Sequence, residues 1–265
     1  MKAGVVETKS VRGVTLRNDP AREACFTVVH TDAEMAEWPD MSDTSRRERL
    51  HRQMNNELGV LEIASQSLVD FPETPWDLRL AMARQCFDEA RHALSLLRRL
   101  GEIGGRKGEF PIANFEWGVT LMLDDLPGRL AVENRTFEAG LIDILGQMRH
   151  VWRQHGDATT ADLFDAILAD EITHVRFANR WIKRLTEEDP RVLLKVALAI
   201  RHLRQVNGAL LPKPGEVNTV GIVIPPKEAP AVNVEGRMEA EFTREEVLEV
   251  LRQAGFRSIL PDQIK

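Results

Sequence analysis

The 265-residue chain contains no tyrosine. That absence removes every chemistry built on a phenol: a tyrosyl radical, a phenolic acid or a tyrosine metal ligand. Its two cysteines, Cys25 and Cys86, are too few for a disulfide framework or a thiolate zinc site, and they read as small buried hydrophobes in a reducing compartment. No apolar run approaches the ~18 residues of a membrane span, and the N-terminus lacks the charged-then-apolar order of a secretory signal. The expected location is cytoplasmic. There is no excess of positive charge either: 35 basic against 41 acidic residues leave a net charge of −6, which disfavours nucleic acid and anionic membrane as partners. What is present, 43% apolar residues, suffices for the core of one generous domain or two small ones.

Residues 1–43 mix short β-branched stretches with turn residues and form a peripheral arm. From there the period becomes helical and predicts an all-α bundle over residues 44–208. Leu50, Met54, Leu58, Leu61, Ile63 and Leu68 recur at three-to-four spacing until Phe71 and Pro72 end a first long helix. Thr74 as N-cap, Pro75 in the first turn and Asp77 open a second helix that runs to about Leu100, and the short connection makes the pair antiparallel. Residues 104–115 read as loop. A third helical region spans about Glu116 to His150, bent or interrupted near Pro127 and Gly128. A fourth runs from Thr159 or Thr160 to about Leu185, and a fifth opens at Asp189-Pro190 and ends near Asn207-Gly208. Residues 209–265 hold an extended proline-rich segment and a last short helix from Thr243 to Gly255, with Thr243 and Glu246 as a capping box.

The second helix carries Asp88-Glu89-Ala90-Arg91-His92 and the fourth Asp170-Glu171-Ile172-Thr173-His174. Glu and His three apart project from one helix face, so both can hold one metal ion. With seven histidines in the chain, about 0.7 Glu-x-x-His matches are expected by chance. There are three. The third, Glu48 with His51, has no counterpart elsewhere and reads as a chance match on a solvated helix face. The other two are supported by a second layer of symmetry. Glu57-Leu58-Gly59-Val60-Leu61-Glu62 in the first helix repeats as Glu138-Ala139-Gly140-Leu141-Ile142-Asp143 in the third. Glu57 precedes Glu89 by 32 residues and Glu138 precedes Glu171 by 33. Folding each helix pair about its turn brings Glu57 opposite Glu89 and Glu138 opposite Glu171, so four carboxylates and two imidazoles converge inside the bundle.

Four buried carboxylates without cations are prohibitively costly, and two divalent ions would neutralise them. Oxygen and nitrogen donors without thiolate suit two iron ions, with manganese or a mixed pair as alternatives. One Glu from each of two helices plus a Glu-x-x-His from each of the other two matches the template of dinuclear carboxylate bundles. Asp88 and Asp170 are expected to accept the distal imidazole N–H of the ligands. Glu62 and Asp143 lie five residues beyond Glu57 and Glu138, turned by about 140°, and are expected as supporting groups, with Glu62 as an alternative ligand. Gly59 and Gly140 could leave room for substrate or dioxygen, or serve close packing.

At these residues the chain resembles the ferritin-like superfamily of dinuclear carboxylate proteins. The strings Phe71-Pro-Glu-Thr-Pro-Trp76, Asp88 to His92, Ala169 to His174, Asn179-Arg-Trp181 and Asn233-Val-Glu-Gly-Arg237, followed by Ala240 and Phe242, are similar to those of a bacterial ferritin-like family known only as a domain of unknown function. The resemblance implies a ferritin-like four-helix bundle and dioxygen or peroxide activation by metals on Glu57, Glu89, His92, Glu138, Glu171 and His174. The function it points to is oxygenation or oxidation of a small organic substrate, by hydroxylation or N-oxygenation, with a reductase as electron donor and a homodimer as a compatible assembly. Ile167 occupies the place, one turn before Glu171, where some arylamine N-oxygenases carry an additional histidine. Iron storage and manganese-catalase chemistry are the alternatives. A tRNA-modifying role is less favoured, because the stripes Arg46, Arg47, Arg49, Arg52 and Arg176, Arg180, Lys183, Arg184 read as solvated helix faces.

Overall fold

The computed structural model describes residues 7–31, 34–225 and 231–256. The ends of the expected arm and C-terminal segment, together with part of the proline-rich stretch, lie outside the described residues. The chain is predominantly helical. Helix α1 (Asp43–Asp70) starts where Ser42 accepts the backbone N–H of Ser45, and stops ahead of Pro72, whose ring disfavours helical backbone in the preceding residue. Helix α2 (Trp76–Glu102) follows after a short turn and packs antiparallel along α1. Thr74 does not cap α2. Pro75 occupies that position, and the Thr74 hydroxyl donates to the Phe71 carbonyl at 2.6 Å, tightening the turn itself.

The third region is more divided than its period suggests. It consists of α3 (Phe115–Thr120), α4 (Leu126–Val132), a π-helical turn (Glu133–Glu138) and α5 (Ala139–Gln154). The break falls at residues 121–125, where Asp125 accepts the Gly128 N–H and Pro127 sits in the first turn of α4. Helix α6 (Ala158–Glu188) is capped by Asp157 and packs along α5. Helix α7 (Val192–Leu210) leans on α4. Two short helices, α8 (Val234–Glu239) and α9 (Arg244–Gln253), close the described chain, α9 with the expected capping box.

Strand content is minor. Strands β1 (Thr8–Val11) and β2 (Val14–Arg17) form a hairpin, and β3 (Val28–Val29) pairs in parallel with β4 (Ile112–Ala113), inside the stretch expected as plain loop.

Two apolar layers cross the bundle. One joins Leu50 and Met54 of α1, Leu96 and Leu100 of α2, Ile142 and Trp152 of α5, Phe164 and Ile167 of α6, and Leu248 of α9. The other joins Leu78 and Met82 of α2, Leu126 and Leu130 of α4, and Trp181 and Ile182 of α6. On α2 the Glu-x-x-His string falls between these layers, and on α6 the first layer continues alongside the string through Ile172 and Val175 until the second takes over at Ala178, so hydrocarbon borders the polar centre at both ends. Among the described residues no helix is long and apolar enough to cross a membrane.

Candidate metal centre

Helical periodicity on α2 and α6 turns Glu89 with His92, and Glu171 with His174, inward on one face each. Glu57 arrives from α1 and Glu138 from the last position of the π-turn. All six side chains are buried. Two overlapping groups result: Glu57, Glu89, His92 and Glu171, and Glu89, Glu138, Glu171 and His174, each with one donor atom per residue and all donors within 4.8 Å of one another. Glu89 and Glu171 belong to both groups and so lie where the two overlap. Residue spacing by itself does not distinguish these two carboxylates from Glu57 and Glu138.

His92 Nδ1 lies 3.1 Å from Glu89, 3.3 Å from Glu57 and 3.4 Å from Glu171. His174 Nδ1 lies 3.1 Å from Glu89, 3.4 Å from Glu171 and 3.8 Å from Glu138. Despite this proximity, Glu89 Oε1, both oxygens of Glu171 and His174 Nδ1 are buried without an aligned hydrogen bond. His92 Nδ1 is matched to Glu57 and Glu89, but these four atoms, crowded together and unmatched, fit a shared cation better than mutual hydrogen bonding, since buried polar atoms otherwise find partners.

The charge balance of these side chains points the same way. Burial, reinforced by Glu89 and Glu171, raises the Glu57 carboxyl well above its ordinary range, and burial with Glu171 does the same to Glu138. Burial opposes the His92 imidazolium, but Glu171, Glu57 and Glu89 outweigh it and push its pKa up to about 12. Burial likewise opposes charge on His174, and Asp88, Glu171 and Glu89 overturn it, so its pKa also rises. Glu89 stays ionised: the two imidazoles outweigh its burial and lower its pKa. Protons therefore supply the positive charge that this cluster of acids demands.

Around the centre, the two halves exchange partners. Asp170 faces His92 Nε2 at 3.3 Å, and Asp88 faces His174 Nε2 at 3.4 Å, so each aspartate serves the imidazole of the opposite helix. Arg91 spans the two aspartates, at 3.2 Å from Asp88 and 2.5 Å from Asp170. Gln53 donates to Glu57 at 2.8 Å, Asn134 donates to Glu138 at 2.8 Å, and Gln85 donates to Glu138 as well.

Glu62 and Asp143 are not among these groups. Arg22 grips Glu62 with two 2.8 Å bonds, and Arg237 grips Asp143 at 2.6 Å; the 140° rotation from Glu57 and Glu138 carries both acids to the bundle's flank. Glu48 and His51 also differ from expectation: they are buried, not solvated. Glu48 pairs with Arg52 at 3.1 Å, and His51 accepts the Gly108 N–H through Nε2 at 2.9 Å while contacting Phe26 and Phe110.

A further buried acid, Glu133, carries no signal in the sequence pattern. Glu133, at the start of the π-turn, accepts a bond from Thr120 at 3.0 Å, and burial followed by Glu116 raises its pKa well above the usual range. A spacing of five from Glu138 is out of phase in an α-helix, and only the wider π-turn brings the two toward one side.

An all-α bundle enclosing a buried set of carboxylates and imidazoles able to hold metal is thus the class that fold and site define. The chain matches the family described as "Protein of unknown function (DUF455)" over residues 2–248, and it belongs to that family. No curated protein and no solved structure matches it.

Proposed function

We propose that the protein is a ferritin-like dinuclear metal oxidoreductase that uses dioxygen to oxygenate or oxidise a small organic substrate. The observation that carries this reading is the pair of four-residue groups sharing Glu89 and Glu171 in the bundle interior. Glu57 and His92 would complete one site, Glu138 and His174 the other, and Glu89 with Glu171 would lie between the ions. Oxygen and nitrogen donors without thiolate favour iron, with manganese or a mixed pair as alternatives. Two bound ferrous ions would supply the electrons that dioxygen chemistry requires.

The chain's own contribution is orientation and exclusion. Asp88 and Asp170 hold the Nε2 protons, so that each imidazole offers Nδ1 inward. Gln53, Gln85 and Asn134 fix the two terminal carboxylates, and the flanking apolar layers keep bulk water from the centre. An external reductase would return the electrons.

The RNA-modifying alternative is disfavoured by the fate of its basic stripes. Arg47 pairs with Glu109, Arg52 with Glu48, Arg176 with Glu239, and Arg180 with Glu241, leaving little charge for phosphates. Storage and manganese-catalase roles differ in readout: a large cage by sedimentation for the first, and manganese content with oxygen release from peroxide for the second.

The deciding experiment measures metal per chain after anaerobic iron loading, then oxygen uptake and the optical spectrum on exposure to air. Two irons per chain and an oxygen-dependent absorption change are expected. Glu89→Ala and Glu171→Ala should each abolish both. A chain that binds less than one iron, or whose oxygen uptake survives these substitutions, overturns the reading.

A further inference from the structure

A cleft of about 250 Å³ lies where α1 meets α3, the π-turn and the C-terminal end of α7. That is the liquid volume of about eight waters, a size for a compact metabolite and not for a polymer segment. Asn56 and Gly59 of α1, Asn114, Trp117, Phe137 and Asn207 form its working walls. Asn56 and Phe137 each stand one residue before a carboxylate of the candidate centre, Glu57 and Glu138. The cleft therefore lies against the two segments that carry Glu57 and Glu138, on a face of α1 turned about 100° from Glu57.

A second, independent feature points to a ligand. Asn114 is 7% exposed, and its Oδ1 accepts a bond from Arg22 at 3.1 Å. A guanidinium can only donate, so this contact fixes the amide orientation and leaves Nδ2 as the free end. Arg22 is itself immobilised by Glu62 and Asn55. Nδ2 of Asn114 is buried and has no hydrogen-bond partner among the described residues; Oδ1 of Asn207 is in the same condition. Such atoms are rare because leaving them unmatched is costly. Beside this unmet donor and unmet acceptor stand Phe137, edge-on to Phe115 at 6.0 Å, and Trp117. A Cβ built on Gly59 meets nothing within 4 Å, so the space is open there. Arg52 at the rim is committed to Glu48 and the acidic Glu116 stands in the lining, so an anionic ligand is disfavoured.

We propose that this cleft binds a small, neutral, planar molecule bearing a carbonyl oxygen for Asn114 Nδ2 and an N–H for Asn207 Oδ1, with its flat face against the aromatic wall. The chemical class is a carboxamide or lactam-type ring. Identifying that molecule as the substrate rests on the dinuclear reading of the neighbouring centre; its binding does not.

Benzamide is the probe, titrated by protein-observed NMR into the full-length chain with and without iron. The wild type binds it saturably and binds toluene, which has the body without the polar edge, at least tenfold more weakly. Asn114→Asp keeps the oxygen that Arg22 holds but exchanges donor for acceptor, so benzamide weakens at least tenfold while benzamidine gains. Gly59→Leu fills the cleft and abolishes binding of both, with the melting temperature kept because leucine is the better helix former. Benzamide binding no tighter than toluene, or unchanged in a folded Asn114→Asp variant, overturns the proposal. Metal content is read on the same samples: a chain that takes up no iron yet binds benzamide sinks only the dinuclear reading, and an iron-loaded chain that ignores benzamide sinks only the cleft.

Discussion

Asp88 and Asp170 sit next to their own helix's glutamates, yet each serves the imidazole of the opposite helix. An aspartate in that position raises the basicity of the imidazole and fixes its tautomer. Asp88→Asn or Asp170→Asn should therefore weaken metal affinity roughly 10- to 100-fold, measured by competition with a chelator, while the helical circular-dichroism signal persists. His51 poses a different residue-scale test. Burial lowers its pKa to about 4, against the opposing pull of Glu109, and its Nε2 must stay unprotonated to accept the Gly108 N–H. With a folded pKa below the unfolded value of about 6.5, the unfolded chain binds the extra proton. The stabilisation is complete above about pH 6.5 and is lost as the pH falls toward 4. In His51→Gln, which retains an acceptor, urea melts should show that part of the acid sensitivity, on the order of 3 kcal/mol, flattened between these limits.

Among the elements, the π-turn and the α8 segment do different work. The π-turn adds one residue to the helical path, and the Thr136 hydroxyl donates to the Ala131 carbonyl five residues back, at 2.8 Å. Deleting Thr136 restores α-helical phasing and rotates Glu138 by about 100° relative to α4. The expected result is a folded helix whose second metal binds at least about tenfold more weakly, read by calorimetric titration. Helix α8 fastens the C-terminal segment: Arg237 bonds Asp143 and the Ala139 carbonyl, Asn233 takes a bond from Gly236 and gives its own N–H to Asp143, and Asn179 donates to the Ala240 carbonyl. Arg237→Met leaves the half-buried Asp143 carboxylate without its guanidinium and should cost about 2 kcal/mol in denaturant melts, part of which returns when Asp143→Leu is added. The strings around Asn179, Asn233 and Arg237 thus account for a latch over α5 and α6, not for chemistry at the centre.

At the scale of the whole molecule, a bound metal would compete with protons for one interior. Glu57 and Glu138 have raised pKa values, and that of His92 rises from about 6.5 to about 12. Folded values above unfolded ones mean that these groups stabilise the metal-free chain at low pH and cease to do so as the pH rises, from about 4.5 upward for the carboxyls and from about 6.5 toward 12 for His92. Metal binding requires the same groups to be deprotonated, so it releases protons and strengthens as the pH rises. The gap in melting temperature between metal-loaded and chelator-treated protein should accordingly be wider at pH 8 than at pH 6. Titration enthalpies should also differ between phosphate and Tris buffers. A gap independent of pH would place the metal elsewhere.

The amino-acid sequence by itself determined the helices and their inward residues, because a 3.6-residue period, a few caps and prolines, and the echo between Glu57–Glu89 and Glu138–Glu171 are local properties that survive without a partner. It could not determine which carboxylates the two candidate groups share, since Glu89 and Glu171 differ from Glu57 and Glu138 only once four helices are side by side. Nor could it separate Glu48 and His51 from a solvated face, because the covering comes from Phe26, Gly108 and Phe110 far along the chain. Glu133 was invisible for a related reason: its phase depends on a π-turn. Tertiary structure decided these matters because burial and long-range hydrogen bonding are relations between segments, and periodicity reports on only one segment at a time.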